Sequence, residues 1–140
     1  MAGSGSPSTE EVARVAEFRG ALRRFLRTTE RNAQAAGLTP QRYLLLLMIK
    51  GAPDLSEQST VTELSERLQL AQSTVTELVS RAEESGLVER RRSSSDGRIA
   101  HLSLSAEGER RLAQAFTSNE SERRALVRAF EHLEAYPLTV

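Results

Sequence analysis

A chain of 140 residues, 39% hydrophobic and 27% charged, has the size and composition of a single globular domain, and a second full domain is not expected. Nineteen Lys plus Arg balance nineteen Asp plus Glu, so neither a polybasic tail nor an acidic solvating chain describes the whole, and any basic surface must be local. The absence of cysteine removes disulfides, thiolate nucleophiles and Fe–S clusters, and the two histidines, His101 and His132, lie far apart without ligand spacing, so no metal and no cofactor are expected.

Residues 1–8, MAGSGSPS, bury no apolar surface and read as a flexible arm; they also lack the charged start and apolar stretch of a secretory signal, so a cytoplasmic protein is expected. From Thr9 to Ala36 the apolar residues Val12, Val15, Phe18, Leu22 and Leu26 recur at helical spacing, with Arg19, Arg23, Arg24, Arg27 and Arg31 over much of the remaining surface. Gly37 suits the left-handed position after a helix, Thr39 a cap and Pro40 a first turn, which starts a second helix over Gln41–Lys50. Its apolar run, Tyr43 to Ile49, is far shorter than the ~20 residues that span a bilayer, so no membrane partner is expected; being apolar nearly all round, it implies burial on several sides.

Gly51 to Ser59 reads as a loop. Thr60-Val61-Thr62-Glu63 is a capping box that opens a third helix, Val61 to Leu68, and a fourth follows from about Ala71 to Ser85, stopping at Gly86. Leu87–Arg92 and Ile99–Leu104 are extended stretches around the turn formers Ser93 to Arg98, which predicts a β-hairpin. Ser105 caps a helix over Ala106–Thr117, and after Ser118-Asn119 a last helix runs from Glu120 to about Ala135, ended by Pro137.

The string QSTVTEL occurs at Gln58–Leu64 and again at Gln72–Leu78. Two readings compete: one continuous helix with Val61, Leu64, Leu68, Ala71, Val75, Leu78 and Ala82 as a heptad seam, or two helices joined by a tight turn at Gln69-Leu70-Ala71. Leu70, apolar yet outside the seam, favours the helix-turn-helix, as a residue closing the turn over the core. The following hairpin favours it too. The repeat itself reads as coincidence, each copy being a β-branched capping residue followed by an acidic first turn.

On the fourth helix Val75, Leu78, Val79 and Ala82 share one side, while Ser73, Glu77, Ser80 and Glu84 point away, flanked by Thr74, Thr76 and Arg81. Such a short, polar outward row either lies in solvent or enters a major groove about 12 Å wide. The adjoining hairpin tips the balance toward the groove: Val88 to His101 holds Arg90, Arg91, Arg92 and Arg98 against Glu89 and Asp96, a net of +2 in fourteen residues.

Thr39-Pro40-Gln41-Arg42-Tyr43, the segment Thr62–Leu68, STVTELVSRAEESGLVERR, and Asp96-Gly97-Arg98 ahead of His101-Leu102-Ser103-Leu104-Ser105-Ala106-Glu107-Gly108 together resemble the MarR (multiple antibiotic resistance regulator) family, in order, from about Glu10 to Leu133. The resemblance implies a mainly α fold with a small β-hairpin: a winged helix-turn-helix over residues 38–105, flanked by dimerisation helices at 9–36 and 106–136, all in one domain spanning 9–140. It implies a homodimeric transcriptional regulator, in most members a repressor released by small, often aromatic, ligands. By the same resemblance Gln72, Ser73, Thr74, Thr76, Glu77, Ser80 and Arg81 belong to the recognition helix, and Arg90, Arg91, Arg92, Asp96 and Arg98 to the wing, with Arg98 in the minor groove and held by Asp96.

Three departures from the family pattern stand out. Gln69 and Ala71 stand where Gly and a capping Ser or Thr are usual, a departure that strains the turn by about 1 kcal/mol and leaves the recognition helix poorly capped. Glu77 occupies a site often basic in relatives, which weakens general affinity or favours a cytosine N4 donor. The segment Leu112–Glu120 is shorter than usual, which bears on the dimer interface.

The function expected is sequence-specific binding of double-stranded DNA as a homodimer, on a pseudo-palindrome with half-sites about one turn, ~34 Å, apart. The alternative is a winged helix that serves as a protein-interaction module without DNA, supported only by the zero net charge. An enzyme is not expected: no nucleophile with an adjacent base and no glycine-rich phosphate loop occurs. Val12, Val15, Leu22 and Leu26 with Leu126, Val127, Phe130 and Leu133 offer a stripe for dimerisation or for an internal helical pair. Phe25, Tyr43 and Leu47 mark the expected pocket for a small aromatic effector, or simply core.

Overall fold

Side-chain caps set the helix starts. In the computed structural model, which describes residues 5–134, α1 (Thr9–Ala35) begins at Ser8, whose hydroxyl accepts from the Glu11 amide at 3.0 Å. The helix α2 (Pro40–Lys50) begins at Thr39 with Pro40 in its first turn, and α3 (Val61–Leu68) at Thr60, where Thr60 and Glu63 complete the expected reciprocal box. Then come α4 (Gln72–Glu84), β1 (Val88–Arg92), β2 (Ala100–Leu104), α5 (Ala106–Ser118), capped by Ser105, and α6 (Glu120–Glu134). Residues 5–8 of the expected arm are exposed; residues 1–4 and the expected stop at Pro137 lie outside the described residues.

The core is built on α2. Leu45, Leu46 and Ile49 are fully buried against Leu64 of α3, Val75, Val79 and Ala82 of α4, and Leu87 and Leu102 of the hairpin. Burying each such aliphatic side chain contributes roughly 1.5–3 kcal/mol, so α2 anchors the helix-turn-helix, the hairpin and the long helices in one core. Its burial is not complete all round, since Leu44 keeps 44% of its surface exposed.

The hairpin pairs Val88 with Leu104, Arg90 with Leu102 and Arg92 with Ala100, antiparallel. Ser59, expected in a loop, adds a bridge to its edge: Ser59 and Leu102 exchange both backbone hydrogen bonds, at 3.0 and 2.9 Å. Two motifs separate in sequence meet behind the sheet. Ser105 donates its amide to the Leu87 carbonyl and its hydroxyl to the Gly86 carbonyl, and Gly108 lies so close to Leu87 that a Cβ there would sit 2.2 Å from its carbonyl oxygen. Backbone contact of this kind explains why the Gly-Leu-Val and Ser-x-Glu-Gly strings belong to one design.

Two expectations about the turn and the repeat are corrected. Leu70 does not close over the core but is 36% exposed; hydrogen bonds hold the turn instead, from the Leu70 amide to the Ser65 carbonyl and from the Ser65 hydroxyl to the Leu70 carbonyl at 2.6 Å. The two QSTVTEL copies differ in role: Thr60 caps α3, whereas its counterpart Thr74 lies inside α4 and caps nothing.

The outer helices α1 and α6 pack along each other within the chain. Phe18 meets Phe130 edge to face with centroids 6.2 Å apart, Glu17 contacts His132 at 3.0 Å, and Arg14 donates to the His132 carbonyl. At their junction with the core, buried Asn119 accepts from Asn32 of α1 at 2.7 Å and donates to the Tyr43 hydroxyl of α2 at 3.2 Å. The polar break between α5 and α6 is thus a pin joining three helices. Among the described residues no helix is long and apolar enough to cross a membrane.

Candidate nucleic-acid interface

The α3 to α4 turn carries both departures from ideal chemistry that the sequence announces. Gln69 adopts φ 58°, ψ 44°, the left-handed conformation that glycine takes without cost. Ala71 sits in extended N-cap geometry, φ −64°, ψ 148°, and makes no side-chain cap hydrogen bond. The first turn of α4 therefore keeps amides without a side-chain cap at the end that faces outward.

Downstream of that turn the two faces of α4 separate cleanly. Val75, Val79 and Ala82 are fully buried, while Gln72, Ser73, Thr74, Thr76, Glu77, Ser80 and Arg81 are all exposed. Glu77 is not a free carboxylate: it accepts from Arg81 one turn on, at 2.5 Å. Gln72 reaches back to the Thr62 hydroxyl at 3.3 Å, tying the starts of α3 and α4 together.

The wing residues divide into three kinds. Arg90 is committed inward: it donates to both carboxylate oxygens of Glu83, at 2.8 and 3.3 Å, with the two side chains about one-third exposed, and the same carboxylate raises its pKa. Arg92 supports the tip by donating to the Gly97 carbonyl at 2.9 Å. Arg91 and Arg98 face outward, and Arg98 has 94% of its side chain exposed. Asp96 shapes the turn more than it restrains the guanidinium: it accepts the Arg98 amide at 3.0 Å, whereas the side-chain contact is 3.5 Å.

Glu83 is the residue that reading the sequence left out. It lies near the carboxyl end of α4, seven residues before Arg90, and the pairing fastens the hairpin to the helix whose outer face is polar. The opposite charges are visible in the sequence, but only the antiparallel return of β1 beside α4 brings them together. A groove of about 380 Å³ runs between the start of α3 and the hairpin, lined by Thr60, Thr62, Arg90 and Arg98 among others.

The expected effector residues are not brought together. Tyr43 is buried and lines a small cavity of about 70 Å³ with Leu26, Thr29 and Leu44. Leu47 lines a different space of about 380 Å³ between α2 and α5, with Lys50, Glu109, Leu112 and Phe116, and Phe25 lines neither. Lys50 at that space is ion-paired to Glu109 at 2.7 Å and Glu57 at 2.9 Å, which raise its pKa.

These features coincide with a match to known proteins. A family model described as MarR family matches residues 36–99, from the end of α1 through the wing tip. A curated relative, the uncharacterised HTH-type transcriptional regulator YsmB of Bacillus subtilis, is 31% identical over 93 residues, which is 66% of this chain and 61% of that protein's length. Among solved structures, AbsC, a MarR family transcriptional regulator from Streptomyces coelicolor, superposes with a TM-score of 0.68 at 18% identity, over 89% of this chain and 84% of its own. A point mutant of MarR from E. coli complexed with operator DNA gives 0.66 at 18% identity, over 95% of this chain and all of that one (100%). The helix-turn-helix with its braced wing, set between long outer helices, has the fold of these MarR structures, and the segment that carries it is the one that matches the MarR family model.

Proposed function

We propose that this protein is a sequence-specific regulator of transcription that binds double-stranded DNA as a homodimer, with α4 in the major groove and the hairpin along the adjacent minor groove. The observation that carries the reading is the coupling of two exposed surfaces: the polar outer face of α4 and the Arg98 tip, joined through the Glu83–Arg90 pair so that one rigid unit presents both. In the E. coli MarR structure the partner is operator DNA, which supports the same class of partner here. Positioning falls to Arg98 and Arg91, whose charges suit phosphates and a narrow minor groove, and base contact to Ser73, Thr74, Thr76, Glu77 and Ser80. Glu77 must give up Arg81 to accept from a cytosine amino group, so its contact trades one charge-assisted hydrogen bond for another.

Dimerisation has a surface to use. After α1 and α6 have packed together, Val12, Val15 and Leu26 of α1 and Val127 and Phe130 of α6 each remain about half exposed. A repressor role and release by a small aromatic effector complete the proposal, with the effector seated in the α2 to α5 space beside Leu47 and Phe116 rather than at Phe25 and Tyr43; its volume lies within the ~300–1,000 Å³ typical of ligand sites.

The test is a salt titration on duplexes selected from a random pool. Arg98→Ala should weaken binding to selected and unrelated duplexes alike and flatten the plot of log affinity against log salt by up to ~2 units for a dimer. Glu77→Gln should instead change the preferred base at one symmetric position, by ~1–3 kcal/mol. Unchanged affinity and slope in Arg98→Ala would reject the DNA wing and favour a protein-interaction module.

A further inference from the structure

Three arginines run directly into three serines in the wing, Arg90-Arg91-Arg92-Ser93-Ser94-Ser95, and nowhere else in the chain does a serine or threonine have Lys or Arg three residues before it. A cation at that spacing is a charge pattern by which serine kinases choose an acceptor, because acidic groups in the substrate cleft receive it. The sequence offers three such pairs, and the fold leaves one of them open.

Arg90 is held by Glu83 and Arg92 by the Gly97 carbonyl, whereas Arg91 is exposed and makes no ion pair or side-chain hydrogen bond among the described residues. The serines divide in the same way. Ser93 is partly buried and its oxygen serves the turn: it accepts the Ser95 amide at 3.3 Å and the Asp96 amide at 3.4 Å, and it shares a hydrogen bond with the Ser95 hydroxyl at 3.0 Å. Ser94 lies exposed between them, and its hydroxyl has no hydrogen-bond partner among the described residues. Backbone bonds from the Ser93 amide to the Ile99 carbonyl at 2.8 Å and from the Ile99 amide to the Asp96 carbonyl at 3.0 Å hold the tip without using Ser94. The unengaged arginine and the unengaged hydroxyl are therefore three residues apart.

We propose that Ser94 is a phosphorylation site, modified by a serine kinase that reads Arg91, and that the phosphate disables the wing. In the transfer Ser94 Oγ bonds to the γ-phosphorus of ATP as the bond from that phosphorus to the β,γ-bridging oxygen breaks; ADP leaves with the electron pair, and the hydroxyl proton passes to a carboxylate of the kinase. Phosphoserine carries about −1.5 to −2 charges at pH 7, enough to cancel most or all of the net +2 between Val88 and His101. The regulatory half rests on the DNA-binding reading above: a wing that has lost its positive charge is no longer drawn to the phosphates it must approach. Linkage makes the effect reciprocal, so bound duplex disfavours modification of Ser94.

The test incubates the full-length protein with a purified arginine-directed serine kinase and Mg-ATP, maps the phosphate by peptide mass spectrometry, and measures duplex binding by fluorescence anisotropy over a range of salt. Phosphate is expected at Ser94, lost in Ser94→Ala, strongly reduced in Arg91→Gln and retained in Ser95→Ala, and a selected duplex should slow its incorporation into the wild type. Phosphorylated protein should bind at least ~10-fold more weakly at ~0.15 M salt, with a slope flatter by up to ~1.8 units per chain, while Ser94→Ala treated identically should bind as it does untreated. Phosphate on Ser93 or Ser95 instead, incorporation that survives Arg91→Gln undiminished, or no incorporation overturns the site. Phosphate at Ser94 with affinity and slope unchanged overturns the regulatory half and leaves the proposed function standing. A wild-type chain that binds no duplex defeats the proposed function and the regulatory half together, and the mapping alone then decides the site.

Discussion

Restoring the missing cap on α4 should stabilise the protein measurably. Four helices begin at a Ser or Thr whose oxygen accepts an amide three residues on, at 3.0, 3.1, 3.2 and 3.0 Å for Ser8, Thr39, Thr60 and Ser105. Their backbones lie at φ −69 to −91° and ψ 154 to 172°, and Ala71, at −64° and 148°, matches the same conformation with no oxygen to offer. Ala71→Ser therefore needs no backbone adjustment, and its hydroxyl should accept the Thr74 amide. Ala71 is exposed, so the added group meets no packing resistance. A Ser in place of Ala at an N-cap is worth about 1 kcal/mol, which for a domain of this size raises the melting temperature by roughly 3 to 5 °C. Differential scanning calorimetry on the wild type, Ala71→Ser and Ala71→Gly measures it, with the glycine variant expected to fall only a few tenths of a kcal/mol below serine. A serine variant that melts at or below the wild-type temperature would refute the reasoning.

Gly108→Ala should cost at least ~2 kcal/mol, because its Cβ would stand 2.2 Å from the Leu87 carbonyl oxygen and backbone must move; urea unfolding checks it. Asn119→Ala should cost ~1–3 kcal/mol by leaving the Tyr43 hydroxyl and the Asn32 amide without their shared partner, and a much smaller loss would mean the pin is dispensable. Glu107 has its pKa lowered to about 2 by hydrogen bonds from Arg110 and then Arg111. A depressed folded pKa gives stability that is present above the ordinary value of 4.5 and lost as pH falls toward about 2. The fall in melting temperature over that window should be shallower in Glu107→Gln, and identical acid limbs would reject the assignment. Glu83→Gln should lower affinity for selected duplexes while leaving the salt slope nearly unchanged, since it loosens the wing without removing a cation; a flattened slope would contradict its positioning role.

Local chemistry alone determined most of the secondary structure. Thr60 with Glu63, Thr39 with Pro40, and Ser105 each announce a helix because a cap hydrogen bond closes within three residues, and α3 starts and stops where the sequence reading put it. Gly37 at φ 77° was legible for the same reason, since left-handed backbone there suits one residue without a side chain, whereas Gln69 at φ 58° was marked only by the family resemblance, as a residue standing where glycine is usual. The exposed row on α4 was legible from its 3.6-residue period. What could not be read locally was which distant groups share a partner. Arg90 counts as a wing cation until β1 folds back along α4 and Glu83 takes it; Ser59 counts as loop until Leu102 lends it a ladder. Tyr43 and Leu47 lie four residues apart on one helix, yet Tyr43 turns toward α1 and Asn119 while Leu47 faces α5, so no single pocket holds both. Leu70 looked like a core residue by composition, but the turn satisfied its polar groups through Ser65 and left the side chain in solvent. Periodicity and capping act over one helical turn, whereas ion pairing, ladder formation and cavity lining depend on where whole elements come to rest against each other, and only the tertiary packing around α2 decided that.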